Sequence, residues 1–411
     1  MFRILYDTAL QSYQLGARVA SLVSPKAEKW IAGRAQQDLS NVNLTKPIWI
    51  HCASLGEFEQ GRPIIEKIKQ LHPSQDIVLT FFSPSGYEIR KNYAQADEVL
   101  YLPLDQKGNA RDFLDAIDPS LAIFVKYDFW YHYLATLTKR SIPFVVIAAH
   151  FRSGHFLFKR VMRPLLSLLK SAQAIFVQSP QSLETLEGRG FKNALVAGDP
   201  RIDRVLDSNP DSQICSELAL SQYEKVIVFG SLWLEDLDVV RSWIRQAVAD
   251  SKTFVIIAPH DIAPKTLRLM EHNSGLETRL SQVRAGSPLD AKGLIVDTIG
   301  DLSSLYRCAD LAYIGGGFGH GIHNILEPAA AHIPIIFGPK HTKFPEANDL
   351  IALHCAFAVQ SAADLAHVLH QLEDDTVRAE IASQMATYLE GSRGATDTIV
   401  DWLFAHNFIS A

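Results

Sequence analysis

A chain of 411 residues is too long for one ordinary core and points to two domains of roughly 200 residues each. Hydrophobic residues make up 47% and charged residues 20%, the balance of a folded globular protein. The formal net charge of −6 argues against a nucleic-acid binder, which would ordinarily be basic.

The first 34 residues carry an apolar stripe of Ile4, Leu5, Ala9, Tyr13, Leu15, Ala20 and Leu22. Arg3, Asp7, Gln11, Gln14 and Arg18 interrupt it at helical spacing, which predicts an amphipathic helix. Five Lys or Arg (3, 18, 26, 29, 34) outnumber Asp7 and Glu28 there. Such a helix lies in an anionic membrane surface or packs on its own domain, and the residues leave both open. No signal-type apolar region and no run of membrane-spanning length is expected here.

From Pro47 onward, short apolar runs alternate with helical segments. Strands are predicted at Ile48–His51, Ile77–Phe81, Glu98–Tyr101, Leu121–Val125, Phe144–Ala148, Ala174–Val177 and Ala194–Ala197. A second series follows at Val226–Gly230, Phe254–Ala258, Leu294–Val296, Leu311–Ile314, Ile335–Phe337 and Ala356–Val359. Continuous apolar strands suit parallel sheets covered on both faces, so the expected fold is α/β, two doubly wound parallel-sheet domains facing a cleft. The expected boundaries are 1–46 for the amphipathic segment, 47–206 for the first domain and 207–222 for a polar linker around Pro210. The second domain is expected at 223–395, with 396–411 a helix packing back on the first.

In the first domain, "IWIHCASLGEFEQGRP" runs from a strand through Ser54, Leu55, Gly56 and Glu57 into a helix. Ser54 and Glu57 have capping-box spacing, whereas Gly56 weakens a helix by about 1 kcal/mol relative to alanine and favours close approach of a ligand. Glu57 as a cap and Glu57 as a general base are evenly matched on these residues. Ser83, Ser85 and Gly86 form another strand-to-helix turn, offering hydroxyls and amides. The segment from Arg152 to Lys170 mixes cations with Phe156, Phe158, Leu165 and Leu166, as an anionic lipid surface or an ordinary amphipathic helix would require.

In the second domain, Gly315-Gly316-Gly317-Phe318-Gly319-His320-Gly321 holds five glycines in seven positions and offers successive amides to an anion. It is neither G-x-G-x-x-G nor a P-loop. Glu327 either complements a helix dipole or accepts from a ribose diol, and Asn324 caps that helix or touches the ligand. Gly230 and Ser231 follow a strand, as does His260, which neutralises a phosphate or is a satisfied structural histidine. Asp236-Leu237-Asp238 reads as a solvated face, and no metal site is expected. Cys52, Cys215, Cys308 and Cys355 are far apart without a C-x-x-C pair, so no disulfide framework is expected and a reducing compartment fits. No G-x-S-x-G elbow occurs.

Taken in order, "WIHCASLGEFEQGRP", "TFFSPSGYE", "LPLD", "FVQSPQSLETL", "GDPRIDRV", "FGSLWLED", "DTIGDLSSLYRCADLAYIGGGF" and "GIHNILEPAAAHIPIIFGP" resemble the 3-deoxy-D-manno-octulosonic acid (Kdo) transferase family over nearly the whole chain. "FVKYDFW" and "GSLWLED" are similar to the variant of Bacteroidetes-type members. The family commonly has Glu at the Lys126 position and Thr-His at Leu232-Trp233, so the resemblance carries no donor role to Leu232 or Trp233.

The resemblance implies an inverting GT-B glycosyltransferase moving Kdo from CMP-Kdo to a lipid A precursor at the cytoplasmic face of the inner membrane, without a cofactor. It places the general base at Glu57 and CMP at Gly315 to Pro328, and the residues themselves lead us to expect the acceptor at Ser54, Gly56, Ser83, Ser85, Gly86 and Arg152. CMP-Kdo would bind at Gly230, Ser231, His260, Gly300, Gly315, Gly316, Gly317, Asn324 and Glu327. The competing expectations are a UDP-sugar enzyme of the same fold, transferase or 2-epimerase, and a two-domain solute-binding protein.

Overall fold

The computed structural model describes residues 2–40, 42–208 and 213–409. It divides into two compact units, residues 1–204 with 392–411 and residues 205–391.

In the first unit, β1 (Ile48–Cys52), β2 (Ile77–Phe81), β3 (Glu98–Tyr101), β4 (Leu121–Val125), β5 (Phe144–Ala149), β6 (Ala174–Val177) and β7 (Ala194–Val196) form one sheet. Its order is β3-β2-β1-β4-β5-β6-β7, with every pairing parallel. All residues of β1, β2 and β4 are buried, which explains their unbroken apolar runs. The chain direction across the sheet reverses between β1 and β4, and ligands of open α/β sheets bind outside such a switch point.

In the second unit, β8 (Lys225–Leu232), β9 (Thr253–Pro259), β10 (Gly293–Ile295), β11 (Leu311–Ile314), β12 (Ile335–Phe337) and β13 (Ala356–Ala358) repeat the pattern. The order is β10-β9-β8-β11-β12-β13, and the switch point lies between β8 and β11. The predicted strands all appear, with ends shifted by at most two residues.

The predicted N-terminal helix spans Phe2–Ala20. One face packs on its own unit: the Tyr6 hydroxyl donates to Asp105 at 2.6 Å, and Asp7 meets His132 at 2.6 Å. The other leaves Ile4, Leu5, Leu15 and Val19 exposed, continued by Leu22 and Val23. Among the described residues no helix is long and apolar enough to cross a membrane. The Ala395–Ala405 helix belongs to the first unit, where Ile399, Val400 and Leu403 share a core with Ile48, Ile50 and Ile64.

Two expectations need correction. The stretch 207–222 is not a bare linker: a helix at Gln213–Glu217 and a 3-10 turn at Leu220–Gln222 bury Ile214, Leu218 and Leu220 in the second unit. Pro210 lies outside the described residues. Cys215 and Cys308 form a disulfide across 93 residues of sequence. The fold sets the Gln213–Glu217 helix against the Leu302–Tyr306 helix, with the two Cα atoms 5.7 Å apart, a separation suited to bridging.

Candidate functional site

Each unit gathers polar side chains at its own switch point. In the first, β1 ends at Cys52 and the chain turns through Ala53 and Ser54 into the Leu55–Leu71 helix. Ser54 stands at the N-cap position in extended conformation, yet its side chain accepts no backbone N–H. Its hydroxyl donates to the Glu57 carboxylate instead. The capping box is therefore not formed, and Glu57 stays half-buried beyond the carboxyl end of β1. Gly56 is exposed, and a Cβ there would meet only Ser54 Oγ, at 3.8 Å. No protein packing demands glycine at 56, and the space beside it is open.

The Ser83 turn adjoins, since Ser83 N–H donates to Ala53 O at 2.8 Å. Ser83 Oγ and Ser85 Oγ lie 2.9 Å apart, with Ser85 exposed. Gly86 is different: it is buried, and a Cβ would come within 2.2 Å of Phe81. Packing against Phe81 by itself accounts for glycine at this position. Arg152 is exposed and lies beside His150, with Arg152 Nε 3.3 Å from His150 Nε2. The Arg152–Lys170 segment is two 3-10 turns and a short helix at Arg163–Leu169, not one long amphipathic helix. Burial, and then Arg152 and Lys126, lower the His150 pKa. Asp199 is held below the ordinary carboxylate range in spite of burial, because Arg201 clamps it.

A row of polar groups inside the same wall escaped the sequence reading. Trp49 Nε1 donates to Thr80 Oγ1 at 2.8 Å, and Thr80 Oγ1 lies 2.8 Å from His51 Nδ1. His51 Nε2 is 2.6 Å from Asp128 Oδ2, to which Trp130 Nε1 also donates at 3.2 Å. A neutral imidazole satisfies this row: the Thr80 hydroxyl donates to Nδ1 and Nε2–H donates to Asp128. His51 is completely buried and the Asp128 side chain is 20% exposed, so the row connects the core to the surface. Asp128 and Glu57 both act on the Cys52 thiol, whose pKa burial chiefly raises. The only sequence sign was a histidine within an apolar strand.

In the second unit, the Gly315–Gly321 loop is pinned from beneath by Asp236. This carboxylate is completely buried, contrary to the solvated face expected of Asp236-Leu237-Asp238. The 3-10 turn at Leu234–Asp236 swings it inward. It accepts from Gly316 N–H at 2.8 Å, Trp233 N–H at 3.0 Å and the Tyr313 hydroxyl at 3.2 Å. Burial raises its pKa and these donors oppose the rise.

The glycines also differ from expectation. A Cβ at Gly315 would lie 2.3 Å from Ser231 O, one at Gly316 2.4 Å from Gly321 O, and one at Gly317 2.5 Å from Gly338 N. Close backbone packing explains all three. The amides of Gly315, Gly316, Gly319 and Gly321 donate to Gly230 O, Asp236, Gly316 O and Gly316 O, and Phe318 N–H also serves Asp236. Five of the amides expected to face a ligand are thus committed inside the protein. Gly230 makes room for the Tyr306 hydroxyl, which would be 1.8 Å from a Cβ. Gly300 has φ +105° and forms an exposed turn before the Leu302–Tyr306 helix.

Ser231 adopts φ +50° beside the loop. Asn324 Nδ2 donates to Glu327 Oε1 at 3.0 Å, while its Oδ1 accepts from Leu326 N–H at 3.1 Å. Asn324 therefore caps the short helix and orients Glu327 together. His260 lies at this edge among aromatic rings. Among the described residues no three His, Cys, Asp or Glu side chains converge as metal ligands.

Two parallel sheets, each wound on both sides of β1 or β8, are the architecture of GT-B proteins, and solved structures of that type are similar in fold. One is UDP-GlcNAc 2-epimerase from Neisseria meningitidis bound to UDP-GlcNAc. Its TM-score is 0.61 at 15% identity, covering 87% of this chain and 99% of that one. Within this class, residues 25–204 match the family model described as 3-deoxy-D-manno-octulosonic-acid transferase (kdotransferase). The chain is 26% identical over 382 residues to 3-deoxy-D-manno-octulosonic acid transferase of Haemophilus influenzae, covering 87% of this chain and 86% of that protein. It is also 23% identical over 392 residues to a bifunctional glycosyltransferase/methyltransferase of Fusobacterium nucleatum, covering 91% of this chain but only 59% of that relative.

Proposed function

We propose that this chain transfers Kdo from CMP-Kdo to a lipid A precursor with inversion, Glu57 being the general base. The observation carrying this reading is the Ser54–Glu57 arrangement, a carboxylate beside the first sheet's switch point, freed from capping and next to open space at Gly56. An inverting displacement needs one group to take the acceptor hydroxyl's proton as that oxygen attacks the anomeric carbon. The Glu57 carboxylate takes it, and the Ser54 hydroxyl holds the carboxylate in place.

The donor belongs to the second unit. Glu327, oriented by Asn324, accepts from the ribose hydroxyls, and the leaving nucleotide carries a single phosphate whose charge imidazoles can neutralise without a metal or cofactor. The acceptor belongs to the first unit, where Ser83, Ser85 and Arg152 would meet a phosphorylated sugar. A groove of about 500 Å³ between Tyr13, Ala17, Ala20, Trp30 and Pro84 suits an acyl chain. The exposed apolar face of the Phe2–Ala20 helix suits the inner-membrane surface at its cytoplasmic side.

Labelled Kdo transfer to lipid A precursor, with products resolved by the number of sugars added, tests this reading. Product formation from CMP-Kdo and its loss in Glu57→Gln are expected. Binding of UDP-sugars with no binding of CMP would overturn it in favour of a UDP-sugar enzyme.

A further inference from the structure

Five amides of the glycine loop, those of Gly315, Gly316, Phe318, Gly319 and Gly321, are occupied within the protein, so an anion at this edge draws on other groups as well. The groups present are rings. Trp233 follows β8, and its indole stacks on His260 with centroids 4.2 Å apart and planes 14° from parallel. His323 lies 4.4 Å from His260, and His320 lies 5.2 Å from Trp233. Trp233 Nε1 is 2.7 Å from His323 Nε2. An indole N–H only donates, so Nε2 of His323 accepts, and a neutral imidazole accepting at Nε2 carries its proton on Nδ1. His323 is half-buried, while His260 and His320 are exposed.

We propose that Trp233 is a positioning residue that locks His323 as a neutral Nδ1–H donor, and that His323, His260 and His320 together form an imidazole-lined site for a phosphate or carboxylate anion. The proposal rests on the donor-binding reading of the second unit and names the groups that recognise the donor's charge. Nearby charges are Asp261 beside His260, Glu235 beside Gly319, and buried Asp236 beneath Gly316. Lys340 also lies here, its ammonium donating to Gly319 O at 2.6 Å.

His323 and His260 respond differently to pH. Burial, with His260 adding repulsion, lowers the His323 pKa to about 4, so His323 stays neutral at physiological pH. Burial also lowers the His260 pKa, with Asp261 opposing and His320 reinforcing the shift. An arriving anion favours the charged imidazole, so His260 takes up a proton on binding and affinity strengthens as pH falls.

Two measurements on the full chain test this. Long-range ¹H–¹⁵N spectra of the ligand-free protein read the tautomer without any variant. Wild-type His323 is expected as the Nδ1–H form, and Trp233→Phe, which keeps a stacking ring but loses the N–H, is expected to release it into exchange between tautomers. An Nε2–H His323 in the wild type, or an unchanged tautomer in Trp233→Phe, overturns the proposal.

Calorimetric titration with CMP from pH 8.5 to 5.5 is the second measurement. One proton taken up strengthens affinity by up to about tenfold per pH unit. Trp233→Phe is expected to weaken CMP by roughly tenfold at pH 8, the loss of about one oriented hydrogen bond. A flat pH profile together with unaltered affinity in Trp233→Phe sinks the anion site while leaving CMP-Kdo as donor. Binding of UDP in place of CMP, with the same slope and the same effect of Trp233→Phe, supports the site and sinks the CMP-Kdo reading.

Discussion

The hydroxyl of Ser54 donates to the carboxylate of Glu57 and leaves the amides of its own helix uncapped. A serine at an N-cap ordinarily contributes about 1 kcal/mol by accepting a backbone N–H, and here that contribution is exchanged for control of one side chain. Glu57→Gln should therefore lower the transfer rate by at least ~10²-fold, with CMP affinity and thermal midpoint nearly unchanged. Ser54→Ala should reduce turnover more than stability. Initial rates and melting curves on the same preparations check both. A large drop in melting temperature with normal turnover by the folded fraction would restore the capping role.

Asp236 holds two loops at once, through Trp233 N–H and Gly316 N–H. Removing it leaves buried donors unsatisfied at about 1–3 kcal/mol each. Asp236→Ala should destabilise the second unit by roughly 3 kcal/mol and abolish measurable CMP binding. Denaturant unfolding and calorimetry provide the test.

His323 makes stability depend on pH. Its folded pKa of about 4 lies below the ordinary value of 6.5, so the unfolded chain binds more protons between those values. Stability from this group is complete above pH 6.5 and falls as pH drops toward 4, by up to roughly 3 kcal/mol. Melting midpoints measured from pH 7.5 to 4.5 should fall, and His323→Gln should flatten the curve over that window.

The Cys215–Cys308 bridge closes a long loop within the second unit. Loop closure of that length is worth about 4 to 5 kcal/mol in the chain-entropy model. Incubation with a dithiol reductant should lower the second unit's unfolding midpoint. A Cys215→Ser/Cys308→Ser variant should start at the lower value and ignore the reductant.

Ile4, Leu15 and Val19 share the exposed face of the Phe2–Ala20 helix. Leu15→Glu with Val19→Glu should lower partitioning onto anionic phospholipid vesicles at least tenfold, since each loses apolar burial worth about 1.5–3 kcal/mol. The melting temperature should stay within a degree or two, because neither side chain belongs to the protein core. Vesicle sedimentation distinguishes this helix from a purely structural one.

The strands were readable because burial on both faces writes itself as unbroken apolar runs, from "IWI" to "IIF". The turns at Glu57 and Asn324–Glu327 were readable because a strand end followed by a helix start confines polar residues to a few positions. Asp236 was misread because a D-x-D at the start of an amphipathic helix resembles solvated surface, and only the 3-10 turn turns it inward. Glycine at 315–317 records a close approach without saying whether the neighbour is a ligand or, as here, the backbone of Ser231, Gly321 and Gly338. His51–Asp128 and Cys215–Cys308 join residues far apart in sequence, for which local pattern contains no signal.

The buried carboxylate of Asp203 accepts from Gly394 N–H and Thr396 N–H, each at 2.6 Å, and so seats the Ala395–Ala405 helix in the first unit. Ile399, Val400, Leu403 and Ile409 fill the same core as β1. The unit begun at the amino terminus therefore lacks part of its interior throughout synthesis of the whole second unit. During translation the second unit, whose residues 205–391 are continuous, can reach its native packing first, while the earlier-made sheet waits for the last helix to emerge from the ribosome.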